Sequence, residues 1–297
     1  MSFEVGSGEV FALVGESGAG KTLTARAVLG LAPRGAVVTG RVLLHGAPVA
    51  PGDLGRRLAW VPQDAMSALS PVHRVDTQLA LAVRSVAPRP HRPGRHEARD
   101  VARRALAEVG LPEEAVSAYP HALSGGMRQR AVIAMALVNG ARLVVADEPT
   151  TALDPARREQ VLGLLRERCA AAGAGLLLVS HDLEAVRRHA DRVAVLYAGG
   201  LVESGRAAPV LDRPLAPYTQ GLVRALPTAA LPHRSRLPVL VGHAPDPGAP
   251  GPAAAEPGCA FAPRCPRVAS GCRDEAPSPR PVDGRLVACH HPVEAAA

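Results

Sequence analysis

Val10-Phe-Ala-Leu-Val-Gly15-Glu16-Ser17-Gly18-Ala19-Gly20-Lys21-Thr22-Leu23 is the stretch that decides the fold. An apolar run, Val10–Val14, ends in a glycine-rich turn that matches G-x-x-x-x-G-K-[ST] without a gap. Leu23–Leu31 then has helix-forming composition, so the order is strand, turn, helix. In that context backbone N–H groups close around phosphate oxygens, and the helix N-terminus adds favourable potential. Lys21 suits neutralisation of β- and γ-phosphates, and the Thr22 hydroxyl suits Mg²⁺. The rival reading is a chance glycine-rich turn. It must place the chain's only lysine, one of 34 basic residues, at the one required position.

Working outward, Leu143–Ala146, Leu176–Val179 and Val193–Leu196 are further Val- and Leu-rich runs that end at polar or glycine-rich turns. They read as buried parallel strands carrying ligand groups at their carboxyl ends. Glu97–Val109 and Pro155–Ala172 have helical spacing, Ala87–Gly94 is a proline-rich loop, and a mostly helical insert is expected over about 67–139. Residues 1–225 are therefore α/β. Leu143-Val-Val-Ala-Asp147-Glu148 sets two adjacent carboxylates at a strand end, Asp147 suited to Mg²⁺ and Glu148 to polarising an attacking water. Two acids that merely cap the strand are the alternative. His181, in Leu176-Leu-Leu-Val-Ser-His181-Asp182, is either a γ-phosphate contact or structural.

Between these elements lies Leu123-Ser124-Gly125-Gly126-Met-Arg-Gln129-Arg130, with Trp60-Val-Pro-Gln63-Asp upstream and Glu148-Pro-Thr-Thr-Ala-Leu-Asp154 downstream. Taken in order from Gly15 to His181, the set resembles the nucleotide-binding subunit of an ABC transporter. The resemblance implies a P-loop NTPase (RecA-like) nucleotide-binding domain with a helical subdomain. Gly15, Glu16, Ser17, Gly18, Ala19, Gly20, Lys21 and Thr22 would form the P-loop. It makes Gln63 the Q-loop residue, which joins Thr22 and Asp147 around Mg²⁺, and Glu148 the catalytic base. It makes Asp154 the D-loop residue and raises His181 to the switch histidine. Ser124, Gly125, Gly126 and Gln129 would bind the nucleotide held by a partner ATPase. The implied ligands are ATP and Mg²⁺. The implied partners are permease subunits at the cytoplasmic face of the membrane, a second ATPase chain of different sequence and, indirectly, a substrate-binding protein. Met66, Leu69 and Val72 read either as permease contacts or as core.

Pro217-Tyr-Thr-Gln-Gly-Leu-Val-Arg-Ala-Leu-Pro227 and Cys259-Ala-Phe-Ala-Pro-Arg-Cys265-Pro266 resemble the C-terminal extension of oligopeptide, dipeptide and nickel importers. Eight prolines between Pro227 and Pro257 mark a linker, taken as 226–258, ahead of a cysteine module at 259–297. Cys259, Cys265, Cys272 and Cys289 follow C-x5-C-x6-C-x16-C, without the paired knuckles usual for structural zinc. Such spacing is compatible with a [4Fe–4S] cluster, and the resemblance implies one. Zinc stays a rival, since His290 and His291 adjoin the last cysteine, and so do free thiols. Cys169 reads as a small buried apolar residue.

Composition bounds the partners. At 297 residues and 47% hydrophobic content, the chain is long enough for one large or two modest cores. No apolar stretch reaches 18 residues, and Glu4 and Glu9 interrupt the start, so a soluble chain without a cleavable leader is expected. The net charge of +7 arises from arginines interleaved with acids, and aromatics are only 2%. That pattern argues for a solvated bias rather than a nucleic-acid surface. In the resembled family an edge strand and a base-stacking aromatic precede the segment matching Ser2–Val10. Phe3 and Phe11 lie too near the P-loop for that role. The N-terminal strand is therefore expected to be missing, as a GTG codon read as the start, at Met1-Ser-Phe, would explain.

Overall fold

The structure, a computed structural model, describes residues 1–88, 90–151, 153–226, 239–240, 242 and 257–293. The linker expected at 226–258 falls for the most part outside the described residues, as does the Met66 side chain. The chain divides into two compact units. One comprises Met1–Glu4, Phe11–Lys21 and Ser180–Ala297, the other Val5–Val10 and Thr22–Val179.

The Thr22–Val179 unit is built on three parallel strands, Leu58–Val61, Leu143–Asp147 and Gly175–Val179. Their near-continuous burial explains runs that show no polar alternation. The helix Pro155–Ala171 returns the chain from the second strand to the third and buries Val161, Leu165 and Cys169. Cys169 is 1% exposed, and burial pushes its thiol up to about 12, as suits a small apolar side chain. The helix entered at Lys21 ends at Val28, three residues before the expected Leu31. Gly30, at φ +70°, lets Leu31 N–H reach the Arg26 carbonyl at 2.8 Å and closes the last turn. Within the expected insert lie the helices Val75–Val86, Arg95–Glu108, Glu113–Val116 and Gly125–Leu137. Asp76, 1% exposed, ties the first two together by pairing with Arg99 and Arg103 at 3.4 and 3.5 Å. Leu69 is core, whereas Val72 is 72% exposed.

In the other unit, Val10–Val14 pairs in parallel with Arg192–Tyr197. All four runs expected as parallel strands pair in parallel, and the strands beyond them, which the sequence reading did not pick out, are antiparallel. Gly200–Arg206 runs antiparallel to Arg192–Tyr197, and Arg285–Val287 and Arg280–Val282 follow, also antiparallel. The physical reason is a pair of two-residue reversals. Ala198-Gly199 and Asp283-Gly284 both hold positive φ at each position, the turn that matches strand twist in a hairpin. The cysteine-bearing tail thereby adds strands to this sheet, with Leu286 opposite Ser204 and Ala288 N–H on the Val202 carbonyl.

Two devices fasten the tail. Tyr197, Tyr218 and Phe261 pack with ring centroids 4.6–5.3 Å apart, half of the chain's six Phe and Tyr in one cluster. Each such pair is worth roughly 0.5–1.5 kcal/mol beyond its buried area. Glu203, fully buried, accepts from the Leu215 and Ala216 N–H groups and pairs with Arg285 at 3.3 Å. Arg285 also donates to the Pro209 and Arg213 carbonyls. Gly205 makes room for it, because a β-carbon there would stand 2.7 Å from Arg285 Cγ. Several arginines assigned to a solvated bias are thus structural. At the N-terminal end, Phe3 stacks on Phe11 at 5.0 Å, with the Arg192 guanidinium over the Phe11 ring.

Candidate active site

The site residues fall in both units, and each group is built by its own local chemistry. In the unit containing Phe11–Lys21, the buried strand Val10–Val14 delivers Gly15 against the neighbouring strand. A β-carbon at Gly15 would lie 2.2 Å from the Leu196 carbonyl oxygen, and φ there is +149°. Glycine is therefore obligatory at that point. The Ala19 N–H bonds the Glu16 carbonyl at 3.1 Å and curls the loop. Lys21, 6% exposed, opens the helix Lys21–Val28, whose first turn carries no acid. Its Nζ donates to the Gly15 and Glu16 carbonyls at 2.8 and 2.9 Å. The result is a cationic loop at a helix N-terminus, which suits a polyphosphate. His181 is exposed and follows Ser180, whose N–H bonds the Leu13 carbonyl at 3.1 Å.

Glu16 has partners that sequence reasoning did not find. Its N–H donates to the Tyr218 hydroxyl at 3.0 Å, and its carboxylate takes a two-pronged bond from Arg264 at 2.7 and 3.0 Å. Burial raises the Tyr218 phenol, and the Glu16 carboxylate holds the Arg264 guanidinium above its usual range. These partners lie 202 and 248 residues away, and no local motif marks them.

In the Thr22–Val179 unit, Thr22 Oγ1 donates to Asp147 Oδ1 at 3.0 Å, and Asp147 is buried. A hydroxyl beside a carboxylate at a strand end fits an octahedral Mg²⁺ that keeps most of its waters. Glu148 has φ +47°, a left-handed conformation that costs a non-glycine residue roughly 1–3 kcal/mol. Its N–H bonds the Val179 carbonyl at 2.9 Å, which holds the strained backbone. The Glu148 carboxylate accepts from Gln63 Nε2 at 3.3 Å and Thr151 Oγ1 at 3.0 Å. Gln63 and Glu148 are thus brought together, a contact the sequence reading did not specify. Thr151 was missed, and its position three residues after Glu148 is the only signal it leaves.

Ser124 caps the helix Gly125–Leu137 by accepting from the Met127 N–H at 3.3 Å. Ser124 and Gly125 are exposed, and β-carbons at Gly125 and Gly126 would meet nothing within 4 Å. Arg128 Nε fixes this helix to the Pro120 carbonyl at 2.6 Å. Gln129 departs from the expected role: at 4% exposure it faces the interior, not a partner. Asp154 is exposed and caps the helix Pro155–Ala171 through the Arg157 N–H.

Cys259, Cys265, Cys272 and Cys289 are free thiols that line one cavity of about 170 Å³, walled by Tyr218 and Phe261. Burial raises the thiols of Cys259, Cys265 and Cys289. A single zinc ion needs sulfurs about 3.8 Å apart, from its bond length in a tetrahedron. Among the described residues, no three His, Cys, Asp or Glu groups stand close enough to hold one metal ion.

The ABC transporter family model matches residues 1–151, and the oligopeptide/dipeptide transporter C-terminal region matches residues 202–272. The chain is 43% identical to the oligopeptide transport ATP-binding protein OppD of Mycobacterium tuberculosis. That match takes in 92% of this chain but 45% of the relative, so the chain spans under half of that protein. It is 37% identical to the dipeptide transport ATP-binding protein DppD of Escherichia coli, over 99% of this chain and 90% of that one. The probable peptide ABC transporter ATP-binding protein y4tR of Sinorhizobium fredii is 39% identical, over 93% and 83%. The ATP-binding cassette MJ0796, in a dimeric post-hydrolysis state bound to ADP and Pi, is 25% identical with a TM-score of 0.59, over 69% of this chain and 88% of that one. CbiO1 of Clostridium perfringens, part of the complex cbiONQ, shares the fold with a TM-score of 0.61 at 24% identity, over 71% and 82%. Matched by the ABC transporter model over half its length, and by relatives at 37–39% identity over most of theirs, this chain belongs to the ABC transporter family, in its branch of oligopeptide and dipeptide transport ATP-binding proteins.

Proposed function

We propose that this chain is the ATP-hydrolysing subunit that energises import of di- or oligopeptides. The observation that carries the reading is Glu148, held in a strained backbone with its carboxylate set by Gln63 and Thr151 beside the Thr22–Asp147 pair. Strain of that kind persists where the surroundings over-determine it, which is common at reacting centres. Lys21 and Thr22 are consecutive, so we assign the phosphate loop and the acidic pair to one nucleotide. In that scheme Lys21 leaves its loop carbonyls for the β- and γ-phosphates, and His181 contacts the γ-phosphate. Thr22 and Asp147, with Gln63, hold Mg²⁺, which supplies charge neutralisation on the phosphates when bound. Glu148 accepts a proton from the water that attacks in line, and Gln63 and Thr151 orient its carboxylate.

Ser124, Gly125 and Gly126 are the groups we assign to a partner ATPase's nucleotide. They form a capped helix start where, among the described residues, no neighbour requires glycine, so the open space favours a close approach from outside. Closing and reopening of two such subunits would drive the permease, with Asp154 beside the junction. Among the described residues no helix is long and apolar enough to cross a membrane; we place the chain at the cytoplasmic face, held there by the permease. The names of the peptide-transport relatives favour peptide over nickel as cargo.

The domain division we adopt is 1–225 for the nucleotide-binding domain and 259–297 for the cysteine module. Within the module, the shared cavity and the spread of the four thiols beyond the reach of a single ion favour a [4Fe–4S] group held by Cys259, Cys265, Cys272 and Cys289 over one zinc ion. About four irons and four acid-labile sulfides per anaerobically purified chain are expected; their absence overturns that assignment. The test of the main reading is ATP turnover by the chain assembled with its permease, stimulated by a peptide-loaded binding protein. Lys21→Ala is expected to abolish nucleotide binding, and unchanged affinity would sink the phosphate-site assignment.

A further inference from the structure

Arg264 belongs to the short turn Ala262–Arg264, immediately before Cys265, yet its charge is spent on the phosphate loop. Its side chain is 6% exposed, and it pairs with Glu16, the loop's second residue, through both Nη atoms at 2.7 and 3.0 Å. The guanidinium lies 5.7 Å from the Tyr197 ring centroid and 5.9 Å from that of Phe261, and it also donates to the Tyr197 hydroxyl at 3.3 Å. Tyr218, packed on both rings, accepts the Glu16 N–H. Glu16 is therefore gripped at its backbone and at its carboxylate by groups that share one aromatic cluster with the cysteine module.

Glu16 is also the only acid between Gly15 and Thr22. A bare carboxylate there would oppose a polyphosphate, as like charges do at close range. We propose that Arg264 is a positioning residue for the phosphate loop: it neutralises Glu16 and fixes the loop's entry, so that the cysteine module governs nucleotide affinity through one ion pair. The inference rests on the nucleotide reading given above. Linkage runs both ways, and nucleotide binding stabilises the module by the same coupling.

MgATP titration of the full chain by calorimetry tests it. Arg264→Ala is expected to weaken binding about tenfold, which corresponds to about 1.4 kcal/mol. In the permease-assembled complex, KM should rise by a similar factor while kcat stays within about twofold. The decisive variant is Arg264→Ala with Glu16→Gln. Removing the acid removes the need for its partner, so affinity should return to within about threefold of the parent. A role confined to packing would leave the double variant as weak as the single. Unchanged affinity in Arg264→Ala, or no recovery in the double variant, overturns the proposal. Should the alanine variant not fold, Arg264→Lys keeps the charge and stem but loses the fork, and is expected to bind about threefold more weakly; an unchanged Kd overturns the proposal equally. A parent chain that binds no MgATP overturns the nucleotide reading itself, whereas a parent that binds no better than its Arg264 variants overturns this inference alone.

Discussion

Glu148, just past the end of Leu143–Asp147, and Glu203, in the middle of Gly200–Arg206, are the same residue type in different units, and they are put to opposite uses. Glu203 is fully buried, and its carboxylate is spent on two backbone N–H groups and on Arg285. Its carboxylate holds two backbone N–H groups and the Arg285 side chain to one strand. Glu148 is partly exposed, sits in a left-handed backbone, and meets a neutral amide and a neutral hydroxyl. Donors of that kind set the direction in which a carboxylate points. Surroundings rather than residue type separate the staple at Glu203 from the base proposed at Glu148.

Two substitutions bear on that contrast. Glu148→Gln keeps size and both neighbours, and should lower kcat of the assembled complex by about 10²- to 10⁴-fold while nucleotide still binds. Single-turnover hydrolysis with a parallel binding titration reads both, and a variant with ordinary turnover would break the comparison at its catalytic end. Arg285→Met leaves Glu203 buried and unpaired, and should cost about 3–5 kcal/mol of stability in equilibrium denaturation. A loss below about 1 kcal/mol, the value of an exposed pair, would mean that the Glu203 network is not the fastening inferred for the tail. The Arg264 variants fall between the two cases, since Arg264 is buried like Arg285 but pairs with the loop proposed to bind nucleotide.

Much of the candidate site was legible from sequence because its parts are contiguous. Gly15–Thr22, Leu143–Glu148 and Ser124–Gln129 each carry their geometry within a few residues. Helix starts were legible for the same reason, as Pro155 after Asp154 shows. The hairpins at Ala198-Gly199 and Asp283-Gly284 were legible but passed over: apolar runs bounded by turns look alike in parallel and antiparallel sheets, and the turn chemistry decides. Gln129 illustrates a different limit. A motif places a residue on a helix without saying which of its faces turns inward, and tertiary packing buried this one.

What the sequence determined alone, then, is the phosphate loop, the acidic pair after its strand and the capped helix start. Local backbone geometry and spacing specify these, and local order is what a linear string encodes. Only the tertiary structure decided the left-handed turn at Glu148, the approach of Gln63 and Thr151, and the joining of Arg285–Val287 to the sheet. It alone picked Arg264 and Arg285 out of a chain with 34 basic residues and buried both against carboxylates 248 and 82 positions away. An arginine carries no mark of its partner in sequence. The pairing arises when the chain closes on itself and a buried charge must find its counter-charge.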